Sequence, residues 1–431
     1  MIDIKFLRQF PDTVRENMKK KFRDEKLSLV DDAISLDEEY RAVKKRGDDL
    51  RSLRNTVSKE IGGLFANGKK EEAEEAKKKV VDYNNELTAL EVSERELEEK
   101  LNSVMMQIPQ IISDDVPIGK DDSENVERER FGNYKEKDFD IPYHVELMES
   151  FNGLDIDSAR KTSGSGFYYL KGDVARIHSA ILSYARDFMI DRGFEYYVPP
   201  IMIRSNVVSG VMSFTEMENM MYKIEGEDLF LIGTSEHSMI GKFMDEIIPE
   251  EELPLALTSY SPCFRKEIGA HGIEERGVYR IHQFEKQEMV VICKPDESMD
   301  WFNRLWKTSV DFFLSLDIPV RALECCSGDL ADLKVKSIDV EAWSPRLGKF
   351  FEVGSCSTLG DAQARRLGIR IRPQDKSEQK YFAHTLNNTV VAPPRMLIYF
   401  FENNLNADGS VNIPEPLIPY LGGKNKIVPK K

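Results

Sequence analysis

A seven-residue repeat of apolar side chains over residues 36–104 constrains the fold of this chain more than any other feature. Apolar residues alternate between three- and four-residue spacings in two series, which are separated by Ala66-Asn67-Gly68. This period places one apolar stripe on each of two helices that pack together. Asn-Gly favours a turn, so the pattern predicts one antiparallel hairpin with helices about 45–50 Å long, at about 1.5 Å per residue. Such helices are too long for a small core, and we expect a projecting arm. The seam residues are Leu36, Tyr40, Val43, Leu50, Val57, Ile61 and Leu64, then Ala73, Ala76, Val80, Tyr83, Leu87, Leu90, Leu97, Leu101 and Val104.

The predicted hairpin also carries clustered basic residues. RNA helices are bound largely through shape and phosphate contacts, so cations on a rigid rod are sufficient for RNA binding. Acidic residues interleave with the cations, and a solvated face of mixed charge is the alternative. Dimerisation or spacing is another use for such an arm. The basic residues are Arg41, Lys44, Lys45, Arg46, Arg51 and Arg54 in the first helix, and Lys69, Lys70, Lys77, Lys78 and Lys79 in the second.

Composition limits the class of protein. The net charge of -15 over 431 residues argues against nucleic-acid binding through overall charge, although a local basic surface stays compatible with it. No apolar run approaches the roughly 20 residues of a membrane span, and the N-terminus lacks the apolar segment of a signal peptide. The five cysteines are an odd number without CxxC spacing. We therefore expect reduced thiols in the cytoplasm, no membrane partner and no structural zinc.

The rest of the chain predicts two further regions. Residues 113–135 are polar and rich in turn residues, and we interpret 114–135 as a linker between an N-terminal domain (1–113) and residues 136–431. From His144 onward, strand and helix patterns mix, which predicts an α+β fold. The sequence contains neither a phosphate-binding P-loop nor the GxGxxG of a dinucleotide fold.

The stretch Cys263–Glu288 predicts a binding hairpin. Strand-like segments, Ala256–Phe264 and Glu288–Cys293, flank a charged loop with glycines at 269, 272 and 277. The planar guanidinium of Arg265 suits a phosphate, and Phe284 offers a flat face to a base. Further charged groups nearby are Glu267, Arg280 and Glu288. An exposed hairpin with solvated charges is the alternative.

Five other segments carry candidate site residues or predict strands that bear on the fold. Leu229–Glu236 predicts a strand that delivers Thr234 and Glu236 to one face, although Thr234 also suits the N-cap of a following helix. Asp339–Trp343 and Phe350–Ser357 predict adjoining antiparallel strands. His384–Arg395 leads into a predicted helix, Met396–Glu402, and Gly193–Pro200 predicts an edge strand that ends in prolines.

Together these segments resemble class II aminoacyl-tRNA synthetases, and most closely seryl-tRNA synthetases. Residues 263–288 resemble motif 2, Gly193–Pro200 resembles motif 1, and His384–Arg395 resembles motif 3. The resemblance covers nearly the whole chain and implies a helical-hairpin arm that grips the variable arm of a tRNA, followed by an antiparallel-sheet catalytic domain. It also implies a homodimer formed by the catalytic domains. One departure concerns Pro393 and Pro394, which stand where many members have glycine before the motif 3 arginine.

The resemblance further implies a reaction and its residues. L-serine and ATP would form seryl-adenylate, and serine would pass to the 3′ end of tRNA-Ser, with selenocysteine tRNA as a second candidate substrate. Serine would be bound by Thr234, Glu236, Glu288 and Thr389. ATP would be bound by Arg265, Glu267, Phe284, Glu352, Ser355 and Arg395, with Arg265 on the α-phosphate and Arg395 on the γ-phosphate. Glu352 and Ser355 would hold Mg²⁺, although a buried, paired glutamate is the alternative for Glu352. The tRNA would contact Arg41, Lys44, Lys45, Arg51 and Arg54.

Two other functions share parts of this pattern. Enzymes that load an amino acid onto a carrier protein can use the same catalytic core, but they lack the long arm. A non-catalytic regulatory relative is expected to have lost some of Arg265, Glu267, Glu352 or Arg395, and all four are present.

Overall fold

The computed structural model describes residues 1–267, 277–375 and 377–430, without the side chains of 214–216. These residues form two compact units. The first is Ile2–Ile111, and the second is the remainder from Ile112 onward together with Met1. Within the described part of the chain, every helix is too short or too polar to cross a membrane.

The N-terminal unit is built on a long helical hairpin, as the heptad pattern predicts. It contains α1 (Ile4–Gln9), α2 (Pro11–Lys20), α3 (Ser28–Ala66) and α4 (Lys70–Met105). The turn falls at Asn67–Lys69, where Gly68 adopts a φ of 75° that glycine reaches without steric cost. All predicted seam residues are buried or half-buried. The helices span 39 and 36 residues, or about 55–60 Å, because α3 begins before the apolar repeat does.

The second unit is α+β and is built around an eight-stranded sheet. Its helices are α5 (His144–Ser150), α6 (Ile156–Ser163), α7 (Gly172–Ile190), α8 (Ser205–Val211), α9 (Phe214–Met220), α10 (Ser235–Gly241), α11 (Ser298–Ser315), α12 (Ala362–Leu367) and α13 (Pro393–Asn404). Its strands are β1 (Val126–Phe131), β2 (Leu154–Asp155), β3 (Tyr169–Leu170), β4 (Glu195–Tyr197), β5 (Met202–Ile203), β6 (Phe230–Leu231), β7 (Ile247–Pro249), β8 (Leu255–Phe264), β9 (Gln283–Cys293), β10 (Val320–Glu324), β11 (Lys336–Ser344), β12 (Lys349–Gly360), β13 (Arg370–Arg372), β14 (Tyr381–Phe382), β15 (His384–Val391), β16 (Val411–Asn412) and β17 (Lys426–Ile427).

Antiparallel pairing dominates the large sheet. Its order is β1-β10-β11-β12-β15-β9-β8-β4, and every neighbouring pair is antiparallel except β4 and β8. The predicted adjoining strands around Asp339 and Glu352 are β11 and β12. The motif 1 strand, β4, lies at the sheet edge as its prolines predict. The segment expected to be a linker contributes the opposite edge strand, β1.

The two faces of the sheet are covered differently, and this difference positions the site. Residues 289, 291 and 293 of β9 belong to a core that also contains α7, α11 and α13. Residues 290 and 292 belong to a second core that contains α10. Side chains alternate along a strand, so the even-numbered residues of β9, from Phe284 to Glu288, share the face of α10.

Candidate active site

A cavity of about 400 Å³ lies over the sheet and collects residues from the segments that resemble motifs 2 and 3, from Leu229–Glu236 and from Phe350–Ser357. The predicted residues that line it are Thr234, Glu236, Arg265, Glu267, Phe284, Glu352, Ser355, Thr389 and Arg395. Glu288 is not among the described residues that line it, although it lies directly behind two that do. The predicted loop between β8 and β9 falls largely on residues 268–276, including Gly269 and Gly272, which lie outside the described residues.

Strands β8 and β9 position the groups expected to bind the nucleotide. Arg265 follows β8, and its Nε donates a hydrogen bond to the Gly233 carbonyl over 3.1 Å. Its guanidinium carbon lies 5.3 Å from the ring centroid of Phe284 on β9. Glu267 accepts a hydrogen bond from Arg280 over 3.2 Å. The guanidinium of Arg265, expected to bind a phosphate, and the ring of Phe284, expected to stack on a base, are thus adjacent.

The motif 3 arginine lies at the start of a helix despite the two preceding prolines. Helix α13 begins at Pro393, three residues earlier than predicted, and proline suits a first turn because that turn needs no N–H donor. Nη1 of Arg395 lies 3.2 Å from both the backbone carbonyl and a carboxylate oxygen of Glu352. The guanidinium also lies 4.6 Å from the ring centroid of Tyr279, a cavity residue that the sequence analysis did not select.

Thr234 and Glu236 both line the cavity, but the strand predicted to carry them is wrong. The strand ends at Leu231, Thr234 is the N-cap of α10, and Glu236 lies in the first turn of that helix. The apolar run is therefore too short to carry both residues in extended chain. The N-cap alternative is confirmed, because the Thr234 hydroxyl accepts from the Glu236 N–H over 3.4 Å, and the same hydroxyl donates to Glu288 over 3.1 Å.

Two neighbouring carboxylates, the half-buried Glu236 and the fully buried Glu288, stand at the end of the cavity. Burial and then the charge of the neighbouring Glu288 together raise the pKa of Glu236 to about 7. Burial also raises the pKa of Glu288, which Lys286 opposes. The Gln363 amide donates to Glu236 over 2.8 Å. The pocket thus concentrates negative charge where an ammonium group is expected.

Lys286 is the site residue that the sequence analysis missed. It lines the cavity, forms an ion pair with Glu288, and lies 3.4 Å from the Thr234 hydroxyl. The alternation that pairs Phe284 with Glu288 on one face includes residue 286 as well, so the signal was present in the strand. A lysine on a strand is usually solvated, so the sequence alone does not distinguish Lys286 from a surface lysine.

Strands β12 and β15 complete the cavity wall. Thr389 stands opposite Glu288 in the register of β15 and β9, and Gly354 of β12 leaves room for it. A Cβ at position 354 would lie 3.0 Å from the Thr389 Cβ. Ser355 is paired with Asp339 across β12 and β11. Thr389, Glu352 and Ser355 therefore line the same cavity as the β8 and β9 groups.

The donors around Glu352 fit a hard divalent cation. Burial and then the neighbouring Glu352 raise the pKa of Asp339 to about 7, which indicates excess negative charge at this wall. Carboxylate and hydroxyl oxygens are ligands that Mg²⁺ accepts. Among the described residues, Asp339 also forms a group with Cys325 and Asp329 whose ligand atoms lie within 4.8 Å of one another. The absence of structural zinc stays a prediction.

The basic residues of the arm are largely paired within the hairpin. Arg46 and Arg51 of α3 form ion pairs with Glu86 and Glu91 of α4, and Arg54 donates to Asn84. Arg41 forms an ion pair with Asp37, and Lys44 donates to the Tyr40 hydroxyl. The contacts of Arg46, Arg51 and Arg54 connect the two helices, those of Arg41 and Lys44 lie within α3, and all five cations stay at least partly exposed.

Comparison with known proteins places these features in one family. Residues 1–112 match the family model of the seryl-tRNA synthetase N-terminal domain, and residues 220–404 match that of the class II tRNA synthetase core domain (G, H, P, S and T). A serine–tRNA ligase from Methanocella arvoryzae is 40% identical over 423 residues, which cover 98% of this chain and 99% of that protein.

Two solved structures agree over the full length. Seryl-tRNA synthetase from Pyrococcus horikoshii, complexed with ATP, has a TM-score of 0.92 at 36% identity and covers 100% of both chains. The cytoplasmic serine–tRNA ligase from Naegleria fowleri, in complex with AMP, has a TM-score of 0.85 at 31% identity and covers 100% of this chain and 99% of that one. On the full-length agreement of sequence and fold, this chain belongs to the seryl-tRNA synthetase family.

Proposed function

We propose that this protein activates L-serine with ATP and transfers the serine to the 3′ end of tRNA-Ser. The observation that carries the proposal is the single cavity that brings Arg265, Phe284 and Arg395 together with Thr234 and Glu236. The first three suit a nucleotide, and the last two suit the ammonium and hydroxyl of a small amino acid. Relatives solved with ATP or AMP support the nucleotide assignment.

In the first step, a carboxylate oxygen of serine attacks the α-phosphorus of ATP, and the bond to pyrophosphate breaks. Arg265 stabilises the charge on the α-phosphate, Arg395 binds the γ-phosphate, and Phe284 stacks on the adenine. The protein contributes positioning and charge stabilisation and forms no covalent intermediate. Glu352 and Ser355 would hold Mg²⁺, which neutralises phosphate charge when bound.

In the second step, a hydroxyl of the terminal tRNA ribose attacks the carbonyl carbon of seryl-adenylate, and AMP leaves. The proposed selection of serine depends on two threonines and two glutamates: Thr234, Thr389, Glu236 and Glu288. A pocket built around a hydroxyl discriminates strongly against alanine, because its own polar groups lose their partner when the hydroxyl is absent. The arm would dock the tRNA through Arg41, Lys44, Lys45, Arg51 and Arg54, and the hairpin ion pairs of several of these would exchange for phosphate contacts.

We further propose a two-fold dimer formed by the catalytic unit, acting in the cytoplasm. Edge strand β4 is followed by Val198, which is 70% exposed, and Met202 is 44% exposed. Apolar side chains at an unpaired sheet edge favour a protein contact over solvent. The five cysteines are all buried and free, which suits a reducing compartment.

Serine-dependent exchange of pyrophosphate into ATP, followed by charging of tRNA-Ser, tests the proposed function. We expect exchange with L-serine and far less with L-alanine, then formation of seryl-tRNA. Exchange with serine that supports loading of a carrier protein, and no charging of tRNA-Ser, would favour the carrier-loading alternative. No exchange with any amino acid would favour a binding protein without activity.

A further inference from the structure

We propose that Lys286 is an internal counter-ion that reduces the charge of the amino-acid pocket from two carboxylates to one, so that the pocket accepts a single substrate ammonium. This inference rests on the proposed function and assigns a positioning role to a residue of the same site. Lys286 contacts Glu288 and Thr234 and would act on the substrate through them.

The geometry places Lys286 between Glu288 and the cavity. The Lys286 side chain is 10% exposed and lines the cavity, whereas that of Glu288 is 1% exposed and lies behind it. Both side chains contact the Thr234 hydroxyl, at 3.4 Å and 3.1 Å respectively. The ammonium of Lys286 therefore forms an ion pair with Glu288, the carboxylate that the family resemblance assigns to serine binding.

Glu236 is left as the carboxylate without a directly bound cation. It lines the cavity and accepts a hydrogen bond from the neutral amide of Gln363, over 2.8 Å. Among the described residues, no lysine or arginine nitrogen lies within 4.0 Å of it. When both carboxylates are ionised, the sum over Glu236, Glu288 and Lys286 is one negative charge, which matches one ammonium.

Other titratable and charged groups also face this pair, and three of them are uncharged near neutral pH. From α10, His237 faces the pocket, and burial lowers its pKa to about 3, so its ring is neutral. From β8 and β12, Cys263 and Cys356 face Glu288, and burial raises the pKa of each thiol, so both are uncharged. Two cations also act on the pair and are present in every variant: Arg265 lowers the pKa of Glu288, and Lys334 lowers that of Glu236.

Without Lys286, the negative charges of Glu236 and Glu288 would repel each other with no lysine ammonium to offset them. Two such groups titrate as a pair and retain a shared proton to a higher pH, because their mutual repulsion opposes the second ionisation. Serine binding at neutral pH would then require release of that proton. The expected consequence is weaker serine binding near neutral pH that recovers as the pH rises.

The test compares Lys286→Met with the wild type in serine-dependent pyrophosphate exchange from pH 6 to 9. We expect the serine KM at pH 7 to rise about tenfold to a hundredfold, with a smaller change in kcat and in the ATP KM. The pH at which the serine KM rises should move upward. Calorimetry in buffers of different ionisation enthalpy should show about one further proton released per serine bound. Lys286→Arg should restore the wild-type pH profile in part.

The second unit offers a matched control in another buried lysine–glutamate pair. Lys336 is 8% exposed and lies 3.1 Å from Glu324, which is 2% exposed, away from the cavity. Lys336→Met should lower thermal stability and leave the pH profile of the serine KM unchanged. A shift in this control equal to that of Lys286→Met would assign the effect to lost stability and overturn the proposal.

A double variant keeps the test decisive if Lys286→Met fails to fold. Lys286→Met with Glu288→Gln removes both charges, leaves Glu236 as the single carboxylate, and strands no buried ion. We expect it to fold and to bind serine with a wild-type count of released protons. Extra proton release from the double variant, or an unchanged pH profile in Lys286→Met, would overturn the proposal. A wild type without serine-dependent exchange would instead refute the proposed function.

Discussion

At the scale of single residues, burial controls what the pocket carboxylates can do. Glu288 is fully buried, with Lys286 and Thr234 as its partners. Glu288→Gln keeps the volume and removes the charge, so the pocket loses attraction for an ammonium. Loss of a charge-assisted hydrogen bond costs about 1.5–3 kcal/mol. We therefore expect the serine KM to rise at least about tenfold in pyrophosphate exchange, with the ATP KM nearly constant.

Glu324→Gln is the control for this prediction. Glu324 is equally inaccessible and is paired with Arg128 and Lys336, but it lies outside the cavity. The control should lose stability and keep the serine KM. If Glu288→Gln keeps both the serine KM and kcat, Glu288 has no part in amino-acid binding.

Glu236 makes the stability of the ligand-free protein depend on pH. Its folded-state pKa is raised to about 7 from an ordinary value of 4.5, so the folded chain retains a proton that the unfolded chain releases. The free energy of unfolding therefore falls as the pH rises from about 4.5 to 7, by up to about 1.4 kcal/mol per pH unit. Glu236→Gln removes this loss, and its Tm relative to the wild type should increase from pH 5 to pH 8.

The sign of this effect separates stability from binding. Asp339, whose pKa is also raised to about 7, contributes equally to both proteins and cancels in the comparison. Saturating serine should reverse the trend in the wild type, because an ammonium stabilises the ionised carboxylate. A Tm difference that stays constant with pH would contradict the raised pKa of Glu236.

The identity of most candidate site residues could be predicted from the sequence, whereas their protonation could not. Arg265, Phe284 and Arg395 stand where the motif patterns place them, because strand and helix-start signals are local. The perturbed pKa of Glu236 depends on its burial in the first turn of α10 and on a charge 52 positions along the chain, at Glu288. Local sequence patterns do not predict contacts between residues so far apart in the chain.

At the scale of elements, the close approach of β12 and β15 fixes one wall of the pocket. Gly354→Ala would place a Cβ 3.0 Å from the Thr389 Cβ, which is tighter than ordinary contact. Thr389 would have to shift by a few tenths of an ångström to relieve this contact. The strand can adjust little, because the Ser309 hydroxyl donates a hydrogen bond to the Thr389 carbonyl over 2.7 Å. We expect the serine KM to rise severalfold in pyrophosphate exchange, with cooperative unfolding retained.

The arm supplies a contrasting glycine for this experiment. Gly63 lies inside α3, and a Cβ there would meet nothing within 4 Å. Gly63→Ala should stabilise the helix by about 0.5–1 kcal/mol and leave the serine KM unchanged. An unaltered serine KM in Gly354→Ala as well would show that the wall of the pocket tolerates the added methyl group.

Elements with a long period were easier to predict than short ones. The heptad repeat predicts the hairpin over 36–104 because every apolar residue of the repeat falls on the same face of its helix. Strand β6 spans two residues, so no pattern could bound it, and the extended run expected up to Glu236 ends at Leu231. Strand β1 is exposed along five of its six residues, and its sequence therefore lacks the apolar alternation that marks a half-buried strand.

At the scale of the whole molecule, the proposed dimer predicts that the catalytic unit associates without the N-terminal unit. A variant lacking residues 1–113 retains β4 and the exposed apolar residues beside it. Sedimentation at micromolar concentration should give the mass of two chains. A folded monomer would show that the N-terminal unit, and not the sheet edge, forms the interface.

The two compact units also predict a division between the reaction steps. The hairpin seam is formed by residues of α3 and α4, and the residues that line the cavity all lie beyond residue 200. Deletion of Leu36 to Val104, closed by a short Gly/Ser linker, should leave seryl-adenylate formation largely intact. Aminoacylation should collapse, because the phosphate contacts proposed for the arm are lost. Both activities are measured on the same preparations, with circular dichroism to confirm folding.

Charge reversal at Arg41, Lys45 and Arg51 is the milder form of the same experiment. Each lost phosphate contact should reduce the slope of log affinity against log salt by roughly 0.7–0.9. Arg41 and Arg51 already bind acidic partners within the hairpin, so reversal also introduces repulsion there, and helicity must be checked. If adenylate formation and charging fall together in folded protein, the arm is part of the catalytic architecture. If neither falls, the arm is a spacer and its cations form a solvated face.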